Sequence, residues 1–353
     1  MNRTPEPADE PVGAPVDRPA DHASDDPAGA LPPSERRNPA SAGIDRLGTA
    51  ELLALINRED ATVPGAVAAA LPGIEALVEA GLAALAGGGR IHYFGAGASG
   101  RAALADAVEL LPTYGAGPET VCPHLAGGER AGRAADEAAE DRADGADAAD
   151  VRAGDLAIGI TASGRTPYVG AALARARAAG AVTALVSGDP AAPLAGRADL
   201  HIALDTGPEV VTGSTRMKAG TAQKLALNMF STALMVRSGR TWSNLMVAAS
   251  ACNEKLHRRA VRTLVEACGV SADDAGRALR ASGGETATAL VALTTGAGTE
   301  EARAALRAAG GLPWAAVRRL TGPEHSPGSG PGSGHSPDAD LGPAPESHEA
   351  KDI

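Results

Sequence analysis

The tetrapeptide Ala-Ser-Gly-Arg occurs twice, at 98–101 and at 162–165, each time directly after an apolar run and directly before a helix-forming stretch. Two such loops offer hydroxyls, Ser99 in the first and Thr161, Ser163 and Thr166 in the second, beside the unpaired backbone N–H groups that open a helix. A helix N-terminus carries partial positive charge, so the chemistry these residues suit is capture of an anion, a phosphate cradle without a Walker lysine. Pro167 fits the first turn of the second helix, where its missing N–H costs nothing. The plainer reading is that the hydroxyls only cap helices. Gly95–Gly100 also matches GxGxxG literally, but the following apolar run ends in Pro123 and His124 and not in an acid that would hold a ribose, so no nicotinamide cofactor is expected. His92 falls within a predicted strand as a packed residue, and His124 at a strand end approaches the loops without an expected catalytic role. Cys122, Cys252 and Cys268 are far apart, with no CxxC pair and no histidine cluster, so neither a disulfide framework nor a metal site is expected.

Elements that would position these loops alternate along the chain. Strands are predicted at 90–94, 119–123, 155–161, 182–187 and 200–204, with helices at 102–111, 130–141, 167–179 and 219–239 between and after them. That order predicts an α/β fold, a doubly wound parallel sheet covered by helices on both faces, with ligands beyond the strand C-termini. Helices at 49–60 and 63–85 precede the sheet, and after Trp242 the pattern is all-helical, with short helices at 271–282, 285–293 and 299–309 forming a small bundle.

Composition sets the outer limits. Residues 1–40 hold 9 prolines and 321–353 hold 6 of the chain's 25, so both ends read as disordered tails. The expected organisation is a tail at 1–40, a sheet domain with leading helices at 41–258, a small helical domain at 259–320 and a tail at 321–353. The tails carry −9 of the net −11, which leaves a nearly neutral body with no electrostatic footprint for nucleic acid or an anionic membrane. No apolar stretch reaches the length of a membrane helix, and a reducing cytoplasm is the expected compartment.

The segments GAGASGRAALADAVELLPTYG (95–115), AGGE (126–129), AAED (138–141), TASGRTPYV (161–169) and GPEVVTGSTRMKAGTAQKLALNMFSTALMVRSG (207–239), followed by NLMV and NEKL, resemble the N-acetylmuramic acid 6-phosphate etherases. These belong to the sugar isomerase domain proteins, and the resemblance runs from about Glu35 to Leu320. It implies two catalytic glutamates, Glu109 as proton donor and Glu140 as base, and a homodimer. It also implies a phosphosugar substrate held by Ser99, Gly100, Thr161, Ser163, Gly164, Thr166, Ser214 and Lys218. Lys218 and Arg216 are candidates for the lactyl carboxylate or for the phosphate, with solvent-facing charges as the competing reading. The sequence has Glu-Leu-Leu-Pro at 109–112 where most members have Glu-Cys-Pro-Pro, and Ala98 where Thr is usual; neither change removes a carboxylate.

The implied reaction cleaves the D-lactyl ether at C3, a bond with a poor leaving group. Opening the sugar ring makes C1 an aldehyde and the C2 hydrogen acidic, so a base removes it while an acid protonates the departing oxygen. Two carboxyl groups in opposite protonation states suffice. The expected position of both glutamates near a helix C-terminus works against a carboxylate's charge, which suits the donor. A phosphosugar-sensing regulator and an aldose-ketose isomerase are the alternatives, and only the etherase releases lactate.

Overall fold

Three helices lead into the sheet in a computed structural model of the chain, which describes residues 31–134, 136–146, 150–248 and 254–322. They are α1 (Thr49–Asp60), α2 (Val63–Ala69) and α3 (Leu71–Ala86). The single helix expected at 63–85 is two, because Pro72 sits in the first turn of α3, where its ring suits a helix start and not a continuing ladder.

The chain then alternates as expected: β1 (Ile91–Gly95), α4 (Gly97–Tyr114), β2 (Val121–Leu125), α5 (Gly128–Arg133), β3 (Leu156–Thr161), α6 (Pro167–Ala178), β4 (Val182–Ser187), β5 (Leu200–Ala203) and α7 (Lys218–Arg237). The five strands pair in parallel in the order β2-β1-β3-β4-β5. Strand period 2 splits their side chains between two cores. Ile91, Tyr93, Leu156, Ile158 and Ile160 pack with α3, α4 and α7, whereas Phe94, Ala157 and Leu185 pack with Tyr168, Val169 and Leu173 of α6. From β1 the chain crosses by way of α4 to β2, and from β3 it crosses on the opposite face by way of α6 to β4. The adjacent C-terminal ends of β1 and β3 are therefore the topological switch point, where such sheets open a crevice.

Beyond the sheet lies a short hairpin, β6 (Thr241–Trp242) with β7 (Leu245–Met246), and then α8 (Glu254–Cys268), α9 (Ala272–Ala281), α10 (Thr286–Thr295), α11 (Thr299–Ala308) and α12 (Pro313–Thr321). These five helices share a core around Leu264, Leu279, Leu290 and Leu306. The bundle is larger than the three helices expected, and a boundary at 258 would cut through α8. The tail expected at 1–40 ends sooner as well: Pro33–Glu35 and Pro39–Ser41 form 3-10 turns with Ser34, Asn38 and Ser41 buried. Residues 1–30 and 323–353, where the rest of both tails falls, lie outside the described residues, as does Cys252. Among the described residues no single helix is long and apolar enough to cross a membrane.

Candidate active site

Both Ala-Ser-Gly-Arg repeats flank the β1/β3 crevice, yet they are built differently. Only Ala96 separates β1 from α4, so the first repeat is already helical and Ser99 is buried in the opening turn. A Cβ at Gly100 would lie 2.4 Å from the Gly95 carbonyl oxygen and 2.3 Å from Leu125 Cδ1. Its N–H is bonded to the Ala96 carbonyl at 3.0 Å, so Gly100 serves the close packing of helix on strand, and the free N–H groups belong to the residues before it.

The second repeat is a true loop between β3 and α6. Gly164 has φ +68°, a left-handed conformation that favours glycine, and Ala192 occupies the space a side chain would need. Thr161 and Thr166 are buried, with their hydroxyl oxygens 2.8 Å apart. Thr166 donates to Glu140 Oε1 at 2.8 Å, and the Tyr168 N–H donates to the Glu140 carbonyl at 3.1 Å. Both ends of Glu140 are thus fixed to the start of α6. The helix expected at 130–141 is cut short by this: α5 ends at Arg133, Ala134 is extended, and a 3-10 turn at Glu137–Ala139 delivers Glu140 to the loop. The helix-end argument therefore does not apply to Glu140. Ser163 is half-buried and accepts from the Arg165 N–H at 3.2 Å.

Glu109 lies elsewhere. Helix α4 runs on through Pro112 to Tyr114, beyond the end expected at 111; a proline in the last turn forfeits only one ladder bond, and Gly115 at φ +64° then closes the helix. Glu109 is exposed on the solvent side of its last turns. At 1.5 Å per residue it is about 18 Å along the axis from Gly97 at the crevice. Within one chain the structure does not bring Glu109 and Glu140 together. The surface around Glu109 is apolar: Val108 and Leu111 of α4 are exposed, as are Met229 and Val236 of α7, the helix packed beside it.

Ser214 is half-buried and Arg216 exposed in the loop before α7. Lys218 corrects an expectation: it is buried and its ammonium is bound to Glu59 Oε2 at 2.8 Å, so this cation is spent inside the chain. The Lys218 hydrogen bond holds the Glu59 carboxyl below its ordinary range, aided by Asn38 Nδ2 at 2.8 Å. Glu209, fully buried, accepts from the N–H groups of Lys218 and Ala219 at 3.0 and 2.9 Å and caps α7. The Ser41 hydroxyl and the Ser34 carbonyl bind the same loop at Val210 and Gly213. Glu59, Glu209 and Asn38 thus shape this loop, and sequence reasoning missed all three, because their partners lie far off in the chain or across a loop and leave no local signal.

On the α6 face, His92 bridges Asp155 Oδ2 at 3.1 Å and His124 Nε2 at 3.0 Å, and Phe94 stacks on His124 at 4.6 Å. Burial pushes His124 down to about 4, with His92 and Arg90 adding to it, and burial lowers His92 against the pull of Asp155. Tyr168 Oη donates to the His124 carbonyl at 3.3 Å. An open hollow of about 770 Å³ runs along α8 from Glu254 to Arg262, lined by one helix and away from both loops.

Among known proteins, the SIS domain family model matches residues 135–233, and the model of the glucokinase regulatory protein N-terminal SIS domain matches residues 74–177. A protein of Thermobifida fusca (strain YX) is 56% identical over 265 residues, 74% of this chain and 87% of its own length. Proteins of Symbiobacterium thermophilum and Cutibacterium acnes are 50% and 48% identical over 266 and 270 residues, with 89% of each covered by 74% and 75% of this chain. All three carry the description N-acetylmuramic acid 6-phosphate etherase.

Proposed function

The chain belongs to the N-acetylmuramic acid 6-phosphate etherase family, and on that premise we propose how its glutamates and loops divide the reaction between them. The activity is that of a carbon–oxygen lyase: it cleaves the D-lactyl ether of N-acetylmuramic acid 6-phosphate to N-acetylglucosamine 6-phosphate and D-lactate, in cell-wall recycling. The opened crevice takes the 6-phosphate at the first turns of α4 and α6, with Ser99, Ser163 and Ser214 supplying hydroxyls. Anchoring the remote phosphate positions C2 and C3 and so lowers the barrier as well as the dissociation constant. Glu140 removes the C2 proton of the ring-opened sugar, and the C3–O bond breaks as Glu109 protonates the departing lactyl oxygen. Water then adds at C3. The observation that carries this reading is the Glu140 carboxyl fastened at 2.8 Å to the second loop of the crevice.

The separation of Glu109 from that crevice makes a second copy part of the same proposal. In a homodimer pairing the apolar α4–α7 surfaces, Val108, Leu111, Met229 and Val236 are covered and each Glu109 is carried toward the partner subunit's crevice. The cytoplasm is the inferred compartment, in keeping with free thiols at Cys122 and Cys268.

Two measurements test this. In heavy water, turnover should release lactate and place deuterium at C2 of the product; lactate without deuterium would eliminate the enolisation step. Mixing Glu109→Ala with Glu140→Ala chains, each inactive alone, should restore about a quarter of the parent activity if each site draws on two subunits, since half the random dimers then hold one intact site. No recovery would remove the shared site.

A further inference from the structure

We propose that Lys224 holds the lactyl carboxylate of the substrate, set in place by the buried Asp106 beneath it. This rests on the reading of Glu109 as donor to the departing lactyl oxygen and adds to it the group that reads the rest of the lactyl unit. Asp106 is a buried carboxylate that the reaction does not use. Tyr93 Oη donates to its Oδ2 at 3.2 Å, and Ser231 Oγ and Lys224 Nζ donate to its Oδ1 at 3.2 and 3.3 Å. Burial raises the Asp106 carboxyl above its ordinary range, and the Lys224 ammonium is the first of the groups that pull it back. The lysine side chain is 40% exposed where that of Asp106 is 3% exposed. An ammonium has three N–H groups, so Lys224 keeps donors for a second anion.

Helix geometry puts that ammonium beside Glu109. At about 100° per residue, Gly100, pressed on the sheet, and Asp106, bonded to α7, are about 120° apart around α4, and Glu109 lies about 60° further in the same sense. Glu109 thus leaves the sheet on the flank where α7 packs, and residues three apart on a helix have Cβ atoms about 5–6 Å apart. Whichever crevice receives Glu109 receives Lys224 with it. In the lactyl ether the carboxylate carbon is two bonds from the oxygen that Glu109 protonates, so a cation one helical turn from the donor meets it. Nearby cations are placed for other work. Lys218 is bound to Glu59, and Arg240 closes α4 on the Tyr114 and Gly115 carbonyls at 3.1 and 3.2 Å. Arg216 shares the loop of Ser214, which serves the phosphate. A lysine without an anchor would spread its ammonium over many rotamers, and the buried carboxylate confines it. Asp106 is thus a positioning residue for Lys224.

The test compares two ligands that differ at one group. They are N-acetylmuramic acid 6-phosphate and the 3-O-ethyl ether of N-acetylglucosamine 6-phosphate, which keeps the ether and the phosphate but lacks the carboxylate. Both are titrated calorimetrically into Glu140→Gln, which should bind without turnover; where that background still releases lactate, the ratio is read from kcat/KM instead. Adding Lys224→Met should weaken the lactyl ether about 10- to 100-fold, the worth of a hydrogen bond between charged groups, and the ethyl ether less than about threefold. The pair Asp106→Asn/Lys224→Met removes both charges without stranding either, so it holds its fold and should show the same selective loss; where Lys224→Met alone fails to fold, this variant is read in its place. An equal loss for both ligands would make Lys224 structural or a phosphate ligand and overturn the assignment, as would an unchanged preference for the lactyl ether. Glu109→Ala separates the two layers: lactate release retained in that variant removes the donor itself, whereas an inactive Glu109→Ala beside an unchanged ratio in Lys224→Met removes only the lysine.

Discussion

The two Ala-Ser-Gly-Arg repeats have identical residues and unlike structures. At 98–101 the repeat is swallowed by the first turn of α4, with Gly100 pressed on the Gly95 carbonyl, and it binds α4 to the sheet. At 162–165 it stays a loop, turned by Gly164 in a left-handed conformation, and it carries hydroxyls that reach a glutamate 26 positions away. A single residue of linker before α4 against five between β3 and α6 accounts for the difference. Local sequence therefore picks out one edge of the sheet without saying which loop brings its hydroxyls to a carboxylate.

That asymmetry is most easily broken at Glu140, where the largest effect is expected. Glu140→Gln should cut kcat by about 10³-fold, within the range of a lost general base, with affinity for the phosphosugar retained. A variant that turns over normally would reduce the second loop to the same packing role as the first. Next in size are the two glycines. Gly100→Ala drives a methyl into backbone atoms that cannot yield, so a loss of about 3 kcal/mol in urea-unfolding stability is expected, with kinetics of the surviving folded fraction near normal. Gly164→Ala strains a positive φ and displaces the loop that holds Thr161, so it should cost kcat as well as stability. Equal kinetic damage from both would erase the distinction. A smaller contrast concerns the hydroxyls. Ser163→Ala should raise KM about tenfold, the worth of one hydrogen bond to a charged group, and Ser99→Ala less, since Ser99 is 7% exposed inside the helix turn. A larger rise for Ser99→Ala would make the first loop the main phosphate contact.

What the sequence made legible was whatever depends on neighbours in the chain. All five strands lie within two residues of their expected positions, because period-2 apolar runs ending in glycine or a turn are local signals. The failures are tertiary. Lys218 opens α7 in a sequence rich in small polar residues, and only a glutamate 159 positions earlier makes it a buried ion pair. The segment at 130–141 has the composition of a helix, and it is interrupted because Tyr168 and Thr166 capture Glu140 from another element. Glu109 was named through its motif alone, and its distance from the crevice follows from its place twelve residues along α4.

The smallest expected effect sharpens the contrast between the two faces of the sheet. Beneath the second loop, His124 is held neutral: burial pushes it down to about 4, and the groups facing it are His92 on β1, with Arg90 and Asp155 behind, and the Tyr168 hydroxyl on α6. Its folded value lies below the ordinary histidine value of 6.5, so the unfolded chain binds this proton more readily. Stability from the neutral ring is complete above pH 6.5 and declines as pH falls toward 4, by up to about 1.4 kcal/mol per pH unit. His124→Leu should flatten that slope in urea midpoints measured from pH 7 to 5. The Glu59 carboxyl, also held low, contributes its own loss only further down, below the ordinary carboxylate range, so the two are separable. Because Tyr168 links the His124 carbonyl to the backbone of Glu140, amide exchange below pH 6 should quicken first around 161–168 and not around 96–101. Simultaneous quickening at both loops would mean that the His124 site loosens the whole sheet edge, and the two repeats would then share one fate in acid.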